Sequence, residues 1–267
     1  MTSFGNFAQE NIAYWTKRAP SYSGVHQEEL HTGQRTVWSR ALDGRIQEHF
    51  RGSRRDDIRV LEVGTGPGFF AIILAELGYR VTAVDYTDAM LAQALENAGT
   101  LAERIRFCRM DAEKLAFPDH SFDVVVSRNL TWNLPHPDAA YAQWVRVLRP
   151  GGLLLNFDAN WYGYLFDAGA EKGHLADREK VVATGAADDT AGTDVAAMEQ
   201  IARQVPLSGR VRPQWDLGVL NGLGMTVSAD PHVWKQVWTQ NEWVNNASTP
   251  MFLVSAEKTV ETGKASV

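Results

Sequence analysis

Ile58-Arg-Val-Leu-Glu-Val-Gly-Thr-Gly-Pro-Gly68, with Asp85 and Asp111 downstream, is the stretch whose reading decides the fold. Ile58 to Val63 is short, apolar and β-branched, the composition of a strand covered on both faces. Apolar residues at helical spacing resume beyond Gly68, so Gly64, Gly66 and Gly68 occupy a strand-to-helix turn. At such a turn a ligand can approach bare backbone, and the helix start adds N–H donors.

Two further units repeat the pattern. Arg80-Val-Thr-Ala-Val-Asp85 reads as a strand, and Tyr86-Thr-Asp88 supplies capping residues for a helix with Leu91, Ala94, Leu95 and Ala98 on one face. Ile105-Arg-Phe-Cys-Arg-Met-Asp111 also ends in an acid. Open parallel sheets bind ligands along the carboxyl edge of their strands, which is where both acids fall. There Asp85 is placed to accept two ribose hydroxyls. Gly66-Pro-Gly68-Phe-Phe-Ala71 satisfies the nicotinamide fingerprint G-x-G-x-x-A, a weak signal when it stands alone. Read from Glu62, the pattern is E-x-G-x-G-x-G. A carboxylate at Glu62 suits the amino group of a methionine moiety, whereas beside a pyrophosphate it would add repulsion.

This second pattern resembles the first motif of class I S-adenosylmethionine-dependent methyltransferases, and the other motifs follow in that family's order. Met110-Asp-Ala-Glu-Lys-Leu-Ala-Phe-Pro118 resembles the adenine-binding segment, Ser121-Phe-Asp-Val-Val-Val-Ser-Arg-Asn129 the fourth strand and its loop, and Arg146-Val-Leu-Arg-Pro-Gly-Gly152 the closing signature. Within the family the chain is most similar to the ubiquinone and menaquinone biosynthesis type, over about residues 58 to 158. The resemblance implies an α/β, doubly wound, Rossmann-like seven-stranded sheet with its last strand antiparallel. It also implies a donor site built from Glu62, Gly64, Thr65, Gly66, Gly68, Asp85, Tyr86, Asp111, Ala112 and Asn129. Asp111 and the Ala112 backbone would meet adenine, and Tyr22 would close over the donor.

Around this core the chain divides into an N-terminal helical lid (1–57), the core (58–159), an inserted cap (160–212), a return to the core with strands six and seven (213–258) and a flexible tail (259–267). The lid contains Tyr14, Trp15, Arg18 and Tyr22, then a helix through Val37, Leu42 and Ile46. In the cap, Val182 to Glu199 is rich in Ala, Gly, Thr and Asp, which predicts a mobile connection between helices and no packed layer.

The chain has 267 residues, and its 26 basic against 32 acidic residues give a net charge of −6, which argues against nucleic acid as a partner. Arg51, Arg54, Arg55 and Arg59 read as a solvated loop beside Asp56 and Asp57. The single cysteine, Cys108, allows no internal disulfide. No signal peptide is legible at Met1 to Phe7, and the longest apolar run cannot span a bilayer, so a cytoplasmic location without membrane partners is expected.

Among nine tryptophans, Trp132 and Trp161 fall on strand-end loops, and with Asn160 and Tyr162 they form the expected substrate pocket, whose aromatic walls suit a planar or cationic molecule. Trp234 and Trp238, four apart, read as core packing on one helix. Methyl transfer from a sulfonium needs alignment and desolvation more than a base. His136, Asp158 and Tyr162 are the candidates if a proton must be removed. Asn129, Asp158 and Asn160 make a poor set for a hard cation, so no metal is expected. The reading is a class I methyltransferase acting on a small molecule. A nicotinamide-dependent oxidoreductase and a non-catalytic S-adenosylmethionine-binding protein stand as alternatives.

Overall fold

The computed structural model describes residues 4–260, and the expected tail lies outside the described residues from 261 onward. Two helices come first, α1 (Phe4–His31) and α2 (Gly33–His49). Alternation of strand and helix follows: β1 (Arg59–Val63), α3 (Phe69–Leu77), β2 (Arg80–Asp85), α4 (Asp88–Ala98), β3 (Ile105–Arg109), β4 (Phe122–Arg128), α5 (Pro137–Val147) and β5 (Leu148–Asp158). The remainder comprises α6 (Ala168–Thr184), α7 (Val195–Ala202), α8 (Gln214–Gly222), β6 (Met225–Asp230), α9 (Trp234–Val237), α10 (Gln240–Asn246) and β7 (Phe252–Lys258).

All seven strands form one sheet in the order β3-β2-β1-β4-β5-β7-β6. β7 runs antiparallel to both β5 and β6, and every other pairing is parallel. This departs from the 3-2-1-4-5-6 order of dinucleotide-binding sheets. β7 continues to Lys258, the expected end of the return to the core, with Glu257 and Lys258 paired in the ladder with Leu153 and Met225.

Successive strand residues point to opposite faces, and the core divides accordingly. Val60, Val124, Val126 and Leu155 join one cluster, while Leu61, Val63, Val125 and Leu154 join the other. α3 is apolar all round, with Phe69 to Ala75 buried, because it lies beneath a second helical layer. α2 supplies that layer: Trp38, fully buried, packs on Phe70 at 5.0 Å and on Phe157 at 5.2 Å between ring centroids.

A third cluster ties α1 to α7 across the carboxyl edge of the sheet, through Phe7, Trp132, Met198, Ile201, Ala202 and Val205. The Val182 to Glu199 stretch therefore differs from the expected mobile connection. α6 extends to Thr184 and α7 begins at Val195 with Asp194 capping its start, leaving 185–194 as the link. Met198 is buried because apolar residues at i, i+3 and i+4 give α7 a packing face that composition alone hides. Among the described residues, no helix is long and apolar enough to cross a membrane.

Candidate functional site

The glycine-rich turn is fixed from below. Gly64 and Thr65 donate backbone hydrogen bonds to the Val84 carbonyl at 2.9 and 3.0 Å. Asp85 holds the turn from the side, its carboxylate accepting from Gly66 N–H and Thr87 N–H, both at 2.9 Å. Burial pushes the Asp85 carboxyl up against those hydrogen bonds. Gly64, Gly66 and Gly68 all take the left-handed conformation, with φ of 73°, 52° and 92°. Their surroundings differ: a Cβ at Gly68 would meet Ala94 of α4 at 3.0 Å, so this glycine serves helix packing.

A cavity of about 310 Å³ opens at the carboxyl ends of β1, β2 and β4. Of the sequence-predicted donor residues it brings together Gly64, Gly66, Asp85, Tyr86, Asp111, Ala112, Asn129 and Tyr22. Glu62, Thr65 and Gly68 do not line it. Glu62 is 3% exposed beneath the turn, and its carboxyl accepts the Thr65 hydroxyl at 2.6 Å. Burial raises the Glu62 carboxyl to about 8, so at neutral pH it is mostly protonated. A strand residue preceding the turn points into the sheet face, which its position in the motif does not reveal.

A second cavity, of about 330 Å³, lies beyond the loop after β4. Trp132, Trp161 and Tyr162 line it, whereas Asn160 does not, its amide instead facing the Arg212 carbonyl. The two cavities share Trp15, Tyr22 and Asn129. Trp15 and Tyr22 pack at 5.8 Å. Asn129 has a φ of 56°, its N–H donates to the Phe157 carbonyl at 2.8 Å, and its own carbonyl accepts the Trp132 indole N–H at 3.0 Å. A left-handed asparagine thus turns the chain between the two spaces.

Two of the three candidate bases lie away from the second cavity. Asp158 is fully buried, accepting from Trp132 N–H at 3.0 Å, Ala159 N–H at 2.9 Å, the Thr131 hydroxyl and the Arg212 guanidinium at 2.7 Å. Arg212 also pairs with Asp216, which accepts the Tyr141 hydroxyl at 2.6 Å. This network pins the β4 and β5 loops to α8 and leaves Asp158 no access to a ligand. His136 caps α5, donates its N–H to Glu113 at 2.7 Å and lines the first cavity. Tyr162 does line the second cavity, with its ring 4.8 Å from Trp132, but burial drives its hydroxyl well above the usual phenol value.

Arg128 escaped sequence reasoning. It closes the apolar run of β4, and its guanidinium pairs with both oxygens of Glu29 from α1 at 2.7 and 2.8 Å. Trp38, Phe69 and Phe70 surround it with ring centroids at 4.8 to 5.2 Å. Burial is the largest influence on Glu29 and would raise its carboxyl, but Arg128 overrides it and holds the carboxyl low. Neighbouring His26 is pushed down to about 3 by burial and stays neutral. The only signal in the sequence was a charged residue ending a buried strand.

The strand order, with antiparallel β7 inside the sheet, and a glycine-turn cavity at the carboxyl edge give a Rossmann-like fold shared with solved methyltransferases. Residues 61–156 match the family model described as a methyltransferase domain. The chain is 38% identical over 127 residues to a ubiquinone/menaquinone biosynthesis C-methyltransferase of Methylobacterium nodulans, covering 46% of this chain and 49% of that one. It is 36% identical to a phosphatidylethanolamine N-methyltransferase of Cereibacter sphaeroides, over 47% of this chain and 58% of that one. The chain thus spans about half the length of the curated relatives it matches. A solved geranyl diphosphate C-methyltransferase from Streptomyces coelicolor, in complex with S-adenosylhomocysteine, superposes with a TM-score of 0.53 at 12% identity, covering 82% of this chain and 79% of that one. Over residues 61–156 the chain thus matches a methyltransferase domain, and it is similar there to the ubiquinone and menaquinone biosynthesis enzymes.

Proposed function

We propose that this chain transfers the methyl group of S-adenosylmethionine to a small organic acceptor, with the donor in the first cavity and the acceptor in the second. The observation that carries this reading is that two ligand-sized spaces meet at Trp15, Tyr22 and Asn129. The first suits the donor chemically: two strand-end carboxylates, Asp85 and Asp111, alternate with apolar Val84, Met90, Met110 and Leu134 and with bare glycine backbone. When bound, S-adenosylmethionine supplies a methyl group already activated on a sulfonium.

The chain's own work is then alignment and exclusion of water. Asp85 accepts ribose hydroxyls while holding Gly66. Asp111 and the Ala112 backbone meet the adenine edge, and Tyr22 with Trp15 covers the point where the two cavities join. Glu62 acts through the turn, setting Thr65. No side chain serves as a dedicated base, since Asp158 is sealed in its ion pair and His136 stands at the donor cavity.

Calorimetric titration with S-adenosylmethionine, S-adenosylhomocysteine, NADH and NADPH tests the reading. Micromolar binding of the two adenosyl-sulfur ligands alone is expected. Binding of a nicotinamide alone would overturn it.

A further inference from the structure

The second cavity has balanced charge but unbalanced hydrogen bonding. Arg18 and Arg178 stand against Asp177 and Asp189 in its lining. Arg178 pairs with Asp189 at 3.6 Å and, outside the lining, with Asp188 at 2.9 Å, while Asp177 accepts the Ser248 N–H at 2.8 Å. Burial lowers the ring nitrogen of His174 and raises the hydroxyls of Tyr14 and Tyr162, so none of these adds charge near neutral pH. Three atoms of the lining are left over. Among the described residues, Nε of Arg178 and the indole Nε1 of Trp161 are buried donors without a partner, and Oδ1 of Asn129 is a buried acceptor without one. Trp132 differs from Trp161 in this respect, since its indole N–H donates to the Asn129 carbonyl at 3.0 Å.

A buried polar atom that has given up water without gaining a partner is costly, and a ligand that supplies the partner removes the cost. The leftover atoms are also sorted by position. Both donors belong to the 160–212 stretch, Trp161 on the loop after β5 and Arg178 on α6, whereas Asn129 stands where the two cavities join. We propose that the methyl acceptor is an uncharged molecule with a carbonyl-type oxygen at one end, directed to Trp161 and Arg178, and a hydroxyl or N–H at the other, directed to Asn129. The hydrogen-bearing end then lies nearest the methyl donor. A ligand with net charge of either sign would enter a lining already neutralised and would lose its hydration without gaining a counter-ion. This deepens the functional reading above and depends on it.

Binding of an analogue series tests the assignment, by calorimetry just below neutral pH with S-adenosylhomocysteine present. The probe is para-hydroxyacetophenone, which is uncharged there and carries a carbonyl at one end and a hydroxyl at the other. Acetophenone lacks the hydroxyl, para-ethylphenol lacks the carbonyl, and para-hydroxybenzoate and tyramine add a negative and a positive charge. The probe is expected to bind about tenfold more tightly than any of these, the scale of one hydrogen bond to a group otherwise left unpaired. In Trp161→Phe, which keeps a ring and loses the N–H, the advantage over para-ethylphenol should shrink while that over acetophenone stays. In Asn129→Gly, which tolerates the left-handed backbone at that position, the reverse is expected. Equal binding across the series, as water at the three atoms would give, overturns the proposal. So does tighter binding of a charged analogue, absence of probe binding, or indifference of both advantages to both variants. Failure of S-adenosylhomocysteine to bind the unaltered chain would instead overturn the donor reading, and titrating the series without it keeps the two failures apart.

Discussion

Glu62 offers a sharp test because its position and its chemistry pull against each other. The carboxyl is 3% exposed, receives the Thr65 hydroxyl at 2.6 Å and is raised by burial from 4.5 to about 8, against smaller lowering by Thr65 and Arg128. In the unfolded chain it ionises near 4.5, while in the fold it keeps its proton to about 8. Between these values the folded state binds more protons, so its stability falls as pH rises, by about 1.4 kcal/mol for each pH unit. Glu62→Gln removes the titration, keeps an oxygen for Thr65 and nearly preserves shape. The variant should match the parent at pH 5 and gain on it steadily, with a ceiling of about 5 kcal/mol by pH 8. Urea denaturation at half-unit steps from pH 5 to 8 measures the difference. A flat difference would refute the neutral buried carboxyl.

Three further outcomes are expected. Glu29→Gln strands the Arg128 guanidinium among three aromatic rings and should cost about 3–5 kcal/mol of unfolding free energy, as breaking a buried pair does; a loss below 1 kcal/mol would argue against the clamp. Asp158→Asn should destabilise by a similar amount, about 3–5 kcal/mol, because Arg212 loses one of its two carboxylate partners and keeps Asp216 and the Thr131 hydroxyl, and denaturant midpoints of the two variants check both numbers. Asp85→Ala removes the acceptor for Gly66 and Thr87 and should weaken S-adenosylhomocysteine binding by about 1–3 kcal/mol; unchanged affinity in calorimetry would remove Asp85 from the donor site.

Much of the first cavity was legible because it depends on local order. A β-branched run, a turn that needs left-handed backbone, and an acid at each strand end are consecutive features, and parallel topology carries strand ends to one edge. The second and third strands start at Arg80 and Ile105, as read from the sequence. Gly64, Gly66, Asp85 and Asp111 converge on the first cavity for that reason. The sequence signals failed where a side chain's direction or a distant partner decides. Glu62 and Gly68 belong to the turn motif yet face the core and α4. Asp158 and Asn160 follow the fifth strand, but Arg212, more than fifty residues later, draws the first into an ion pair and the second out of the substrate space.

By itself, then, the sequence determined the α/β core, the glycine-rich turn and the carboxyl edge where the first cavity opens, since those follow from periodicity and backbone conformation within a few residues. Tertiary structure alone decided that Arg128 locks α1 to β4, that Asp158 is held in a buried pair with Arg212, and that Tyr14, Trp132, Trp161 and Tyr162 line the second cavity. These depend on charges and rings brought together from segments tens of residues apart, where burial sets both the protonation state and the partner, and no local pattern records which segments will meet.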